Sequence, residues 1–213
     1  MCGKYYADRE FIPKLSILFR EEDIIPDPEL REEWRKVLTD DEGQLSDMDI
    51  NPTDSAVTVS ASENGLHASS MKWGFHDTFH NSLVINARAE TAPVKQMFSE
   101  SMRDRRCVIP ASGYYEWDSA RARYRFSRPD GGLVLLAGFY RRETDEDHYT
   151  ILTTEANECM MPVHPRMPVM LDRSEIRKWL SDDMFMREAL SRRQTELDRV
   201  QDAGQISMDF IQR

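Results

Sequence analysis

Four stretches rich in β-branched and aromatic residues follow one another closely between positions 106 and 156: RCVIPASGYYEW, RYRFSR, LVLLAGFYRR and DHYTILTTEA. Such side chains favour strands. Joining two parallel strands takes about a dozen residues or more, which these gaps do not offer, so antiparallel pairing is favoured. The turn Asp130-Gly131-Gly132 is expected to join the middle pair. An earlier unit reads the same way: AVTVSA (56–61), an Asn64-Gly65 turn, then LHASSMKWGF. LVIN (83–86) is a further short strand.

Helical periodicity frames this centre. Phe11, Leu15 and Leu18 predict a helix from Asp8 to about Arg20, with Pro13 tolerated near its start. Asp27 as cap, Pro28 at the first helical position and the stripe Leu30, Trp34, Val37, Leu38 predict a second over 27–38. Residues 39–49 read as a polar surface loop. Pro93 to about Asp104 is expected to be helical, with Val94, Met97 and Phe98 on one side. From Arg173 the pattern returns to helix, with Ile176, Trp179 and Leu180 as its core stripe. No repeat or linker divides the chain. The expectation is a single α+β domain over 1–213, with a mostly antiparallel, curled, barrel-like sheet and peripheral helices.

The net charge of −10 opposes a long nucleic-acid footprint but not a small groove. Three cysteines, Cys2, Cys107 and Cys159, argue for reduced thiols rather than a disulfide framework. No apolar run approaches a membrane span and no secretion signal opens the chain, so a cytoplasmic location is expected. Zinc-ligand spacing and phosphate-cradling glycine loops are absent from the sequence, and neither metal nor organic cofactor is expected.

Chemistry concentrates in four places. The chain opens Met-Cys-Gly. Removal of Met1 would leave Cys2 with an α-amine (pKa about 8) beside a thiol (about 8.5). The amine can form an imine with an aldehyde, and the adjacent thiol can close onto the imine carbon as a thiazolidine. The plainer reading of Cys2 is a tolerant terminal residue. In INARAETA (85–92), Asn86 is suited to orienting a reacting group and Arg88 to holding a phosphate, both on one side of an extended chain. The alternative is a strand-end salt bridge from Arg88 to Glu90 or another acid. In ASGYYEW (111–117), Glu116 among aromatic rings suits a general acid/base. Strand alternation, taken alone, puts it on the solvent face. In MPVHPRMPVML (161–171), prolines stiffen a segment that carries His164 and Arg166, suited to proton transfer and anion binding. His67, His76, His80 and His148 read as surface or structural. Cys159 and Cys107 read as structural thiols.

Together these motifs resemble the SRAP family, the SOS response-associated peptidase proteins that shield abasic sites in DNA. The matching residues are Met-Cys-Gly at the start, Ile-Asn-Ala-Arg-x-Glu-Thr at 85–91, Gly-Tyr-Tyr-Glu-Trp at 113–117 and His-x-Arg-x-Pro at 164–168. Trp73-Gly74 resembles the family's Trp-Gly. The likeness runs over 2–171, and 172–213 reads as a divergent helical C-terminal segment. It implies Met1 removal, then a thiazolidine crosslink between Cys2 and the ring-opened abasic aldehyde in single-stranded DNA. Asn86 would hold the reacting groups, Glu116 would act as acid/base and His164 would shuttle a proton. Arg88, Arg166 and Lys4 would bind phosphates, and Trp73 would cover a base. A monomer in the bacterial cytosol or nucleoid is implied. The family often has Arg where this chain has Lys4, and His164 is followed by Pro165 rather than an acidic residue.

Three other readings share parts of this pattern. A glutamine amidotransferase also opens Met-Cys-Gly, but no glutamine-binding motifs accompany it here. A cysteine protease would use Cys2, His164 and Asn86 or Glu116. A non-catalytic single-stranded-DNA-binding module would bind without crosslinking.

Overall fold

The computed structural model describes residues 2–28, 30, 47–144 and 146–202. The hairpin expected at Asn64-Gly65 forms. β4 (Ser55–Ser62) and β5 (Gly65–Trp73) pair antiparallel from Ser62↔Gly65 to Ser55↔Lys72. β9 (Arg106–Ala111), β12 (Val134–Glu143) and β13 (Glu146–Glu155) extend the sheet in the order β13-β12-β9-β4-β5. Its two ends then meet, because β13 also pairs in parallel with β5 at His148↔Lys72 and Tyr149↔Trp73. The curled sheet is therefore a closed five-stranded barrel. Val59, Val108, Ile109, Leu136, Phe139 and Ile151 are all buried in the core. β2 (Ile24–Pro26) lies along β5, and β15 (Met170–Leu171) along β12.

A second sheet has the order β16-β11-β10-β1-β3. Its strands are β1 (Lys4–Ala7), β3 (Met48–Ile50), β10 (Gly113–Trp117), β11 (Arg123–Ser127) and β16 (Asp198–Gln201). RCVIPASGYYEW, which reads as one strand, is thus two strands in different sheets, broken at Ser112. Gly113 makes the close approach possible. A Cβ there would lie 2.2 Å from the Phe126 carbonyl oxygen and 2.3 Å from the Tyr6 hydroxyl. The Asp130-Gly131-Gly132 turn also changes sheets. It leads from β11, paired with β10 and β16, to β12, paired with β9, β13 and β15, so no hairpin forms there.

Registered neighbours in the second sheet share a face. Lys4, Tyr115, Arg125, Trp117 and Arg123 are linked by the register Lys4↔Tyr115↔Arg125 and Trp117↔Arg123, and form the outer face with Tyr6. The Arg125 guanidinium lies 4.1 Å from the Tyr6 ring centre. Tyr5, Tyr114 and Glu116 take the other face, toward the barrel. The Tyr5 ring packs 5.2 Å from Trp73, and its hydroxyl shares a 2.5 Å hydrogen bond with that of Tyr149.

The helices are peripheral, as expected. α1 (Phe11–Glu21) buries Phe11, Leu15 and Leu18, with Pro13 in its first turn. The helix expected over 93–104 is shorter: successive turns from Thr91 leave Val94 80% exposed, and only α2 (Ser99–Asp104) is helical. The helix expected over 27–38 lies almost wholly outside the described residues, and the loop expected over 39–49 ends in β3. After Arg173, α3 (Ile176–Ser181) and α4 (Asp183–Ser191) pack through Ile176, Trp179 and Leu180. Buried Arg106 ties them to the barrel through the Trp179 carbonyl (2.6 Å) and Asp183 (2.8 Å). The tail is not helical throughout, since β16 returns to pair with β11. Among the described residues, no helix is long and apolar enough to cross a membrane.

Candidate active site

Cys2 immediately precedes Gly3 and β1, and its side chain is fully buried. Its thiol donates weakly to the Lys4 carbonyl at 3.9 Å. Asn86 reaches it from another part of the chain. β8 (Asn86–Arg88) runs parallel to β13, with Asn86 opposite Ile151, and the Asn86 Nδ2 donates to the Cys2 carbonyl at 2.8 Å. The Asn86 Oδ1 is also buried and accepts no hydrogen bond among the described residues.

Glu116 belongs to the same centre. It is only 5% exposed, so the solvent-facing alternative is overturned. Alternation does hold along β10, but the face carrying Glu116 is the one turned to the barrel. Its Oε1 accepts the Trp117 N–H at 3.3 Å. Burial pushes the Cys2 thiol from an ordinary 9.0 up to about 12, and the negative charge of Glu116 adds to the rise. Cys2, Asn86 and Glu116 are therefore brought together from β8, β10 and the N-terminal segment.

β14 (Arg166–Pro168) pairs with β13 at Thr153–Glu155, while β8 pairs at Ile151–Thr153. His164 and Arg166 thus flank the same stretch of β13 as Asn86 and Arg88. His164 is half-buried, and its Nδ1 lies 3.0 Å from the Arg166 backbone nitrogen and 3.1 Å from the Arg166 carbonyl oxygen. The Arg166 guanidinium reaches Glu90 with two bonds, 2.6 and 2.9 Å, and the Thr153 carbonyl at 2.5 Å. This pairing holds the Glu90 carboxyl below the usual range. The alternative salt bridge from Arg88 to Glu90 does not form. Arg88 is exposed and makes no ion pair within contact distance among the described residues, though its charge also helps to lower Glu90. Lys4 is paired with Asp49 at 3.1 Å.

Trp73 requires a correction. It is fully buried between Tyr5 and Tyr149, and its indole N–H donates to the Ile85 carbonyl at 3.0 Å. A ring with no exposed face cannot cover a base, so Trp73 is a core residue. Trp117 is an exposed ring, on the outer face with Lys4 and Arg123. Its position was readable in principle: in a strand, the neighbour of an inward Glu116 points outward. The Tyr5–Tyr149 hydroxyl pair carried no sequence signal, because it joins positions far apart in the chain.

Comparison with known proteins identifies the chain's relatives. The family model described as SOS response associated peptidase (SRAP) matches residues 1–207. Abasic site processing protein YoqW of Bacillus subtilis (strain 168) is 27% identical over 85% of this chain and 80% of its own length. Abasic site processing protein YedK of Escherichia coli (strain K12) is 24% identical over 89% and 83%. Abasic site processing protein YoaM of Bacillus subtilis (strain 168) is 36% identical, over 46% of this chain and 47% of YoaM. A crystal structure from Bacteroides thetaiotaomicron has the same fold, with a TM-score of 0.72 and 21% identity over 93% of this chain and 90% of that one. A match over nearly the whole chain decides the matter: the protein belongs to the SRAP family.

Proposed function

We propose that this protein processes abasic sites in single-stranded DNA by forming a covalent thiazolidine at Cys2. The supporting observation is the Asn86 amide on the Cys2 carbonyl, beside the buried Glu116. Relatives named abasic site processing proteins point the same way. Met1 is first removed, by the protein's own peptidase-like activity, which frees the α-amine. The amine nitrogen adds to the C1′ aldehyde of the ring-opened sugar. Glu116 takes the proton that the adding amine sheds and passes it to the departing hydroxyl, and water leaves as the imine forms. The Cys2 sulfur then adds to the imine carbon, and its proton passes to nitrogen. Asn86 holds the backbone so that amine and sulfur reach the same carbon, and its buried Oδ1 offers an acceptor for the amine N–H. His164 relays protons from the β14 side.

The raised thiol favours this order of events. A conventional cysteine protease or amidotransferase leads with a thiolate held below its ordinary pKa. With Met1 still attached, Cys2 sits well above it, chiefly through burial. The amine leads, and the neutral thiol follows. Arg88 and Arg166 lie beside the centre to bind flanking phosphates, with Lys4 on the outer face. Trp117 takes the base-stacking role that Trp73 cannot fill. Few phosphate contacts are needed at one lesion, which accommodates the charge of −10.

The test is incubation of the mature protein with single-stranded DNA carrying one abasic site. A band stable to denaturing electrophoresis is expected, lost in Cys2→Ala and when an extra residue caps the terminus. Equal crosslinking by the capped protein overturns the mechanism.

A further inference from the structure

Away from Cys2, the far end of the β12–β13 hairpin meets β6 (Phe75–Asp77), which pairs with β7 (Ser82–Val84). Here His76, Glu143 and His148 converge, with a donor atom of each within 4.8 Å of those of the other two. His148 is buried, and Glu143 is 13% exposed at its side chain. His76 is open to solvent. We propose that these three residues form a binding site for one divalent transition-metal ion of the zinc class.

The geometry favours such an ion in two ways. The His148 Nδ1 lies 2.6 Å from the Gly74 carbonyl and 3.7 Å from the Glu143 Oε2, so with the proton on Nδ1 the ring offers its lone pair at Nε2, on the side of Glu146. Metal-bound imidazoles are commonly oriented by this kind of bond. The Arg141 Nε grips the Glu143 Oε1 at 2.7 Å, which leaves Oε2 turned to the His76 Nδ1 at 2.7 Å. Glu146 Oε1, 3.6 Å from the His148 Nε2, is held by Lys72 at 2.8 Å and lies outside the three converging donors. Two imidazoles and a carboxylate with an open position on the exposed side form a zinc-type donor set. The charges select among ions. Arg141 and Lys72 offset Glu143 and Glu146, so the site attracts by nitrogen lone pairs rather than by net field, which disfavours magnesium and calcium.

No sequence spacing announces the site, because its residues come from β6, the end of β12 and the start of β13. It is also separate from the proposed reactive centre. His148 lies three residues before Ile151, the register partner of Asn86, about 10 Å along the strand. On binding, the metal takes the lone pair that the His76 Nδ1 exposes when its proton is released to water. Metal bonds then fasten β6 to the hairpin.

The experiment is calorimetric titration of the full chain with zinc chloride, with cobalt(II) absorption as an independent readout. One ion per chain is expected, with visible d–d bands from a nitrogen-containing site. His76→Ala, at a solvent-open position that should not disturb folding, is expected to weaken binding by ~10-fold or more. His80→Ala, at the neighbouring His80–Asp77 pair (2.7 Å), should leave it unchanged. Absence of stoichiometric zinc binding overturns the proposal, as does equal binding by His76→Ala or an equal loss in His80→Ala. Magnesium binding as tight as zinc also overturns it.

Discussion

Glu116→Gln removes one negative charge from beside a buried thiol while keeping the side chain's size. Cys2 is pushed from 9.0 to about 12, chiefly by burial and secondarily by the Glu116 charge. The whole displacement corresponds to about 4 kcal/mol against the thiolate. Burial persists in the variant, so only the charge contribution is lost. A like charge next to a buried group is worth about one pKa unit, or about 1.4 kcal/mol. The variant's thiol is therefore expected near 11, and at pH 10 its thiolate fraction rises from about 1% to about 10%. The assay is the Cβ chemical shift of ¹³C-labelled Cys2, followed against pH in both proteins with identical N-termini. Crosslinking to an abasic site should fall in the same variant, because the proton donor is gone. A Cys2 titration that is unchanged or shifted upward in folded Glu116→Gln refutes the electrostatic coupling. Crosslinking that rises in step with the thiolate refutes the amine-first order.

Trp73→Phe loses the indole N–H to the Ile85 carbonyl and part of a packed ring; about 2 kcal/mol of stability is expected to go in urea unfolding, with DNA affinity of the folded protein unchanged. Trp117→Ala should do the reverse, keeping stability and weakening single-stranded-DNA binding by about 1–3 kcal/mol in fluorescence anisotropy. Glu90→Gln releases the Arg166 fork, so the salt dependence of DNA affinity should steepen by about 0.7 in log–log slope if one more phosphate is engaged. Asp130 is held down at about 2 by Arg128 and the Gly132 N–H. Its contribution is full above its ordinary 3.8 and is lost as the pH falls through about 2. Thermal melts of Asp130→Asn and the unaltered chain should differ at pH 5 and converge near pH 2.

What the sequence made legible was local. The Asn64-Gly65 hairpin, the α1 stripe and the Ile176–Trp179–Leu180 stripe follow from periodicity and turn chemistry, and all three form. Sheet membership is decided by distant partners, so the breaks at Ser112 and at Asp130-Gly131-Gly132 looked like strand continuity and a hairpin. β16 was hidden for the same reason: four polar-rich residues become a strand only because β11 offers an edge. At the site, residue identity pointed to Cys2, Asn86, Glu116 and His164. Burial then separated Trp73 from Trp117 and assigned Glu90 to Arg166, neither of which a one-dimensional pattern encodes.

The seam that closes the barrel joins residues 72–73 to 148–149, and the register beside it joins 86 to 151. A chain made by the ribosome at ~5–20 residues per second therefore carries Cys2 for about seven to thirty seconds before the strand that seats Asn86 has even been made. During that interval the first residues have no frame to hold them and no acid beside them. Competence arrives with the last strands rather than with the first residues. On the function proposed above, the Cys2 nitrogen stays an amide until the folded chain removes Met1, so the nascent terminus forms no thiazolidine with the small aldehydes of metabolism.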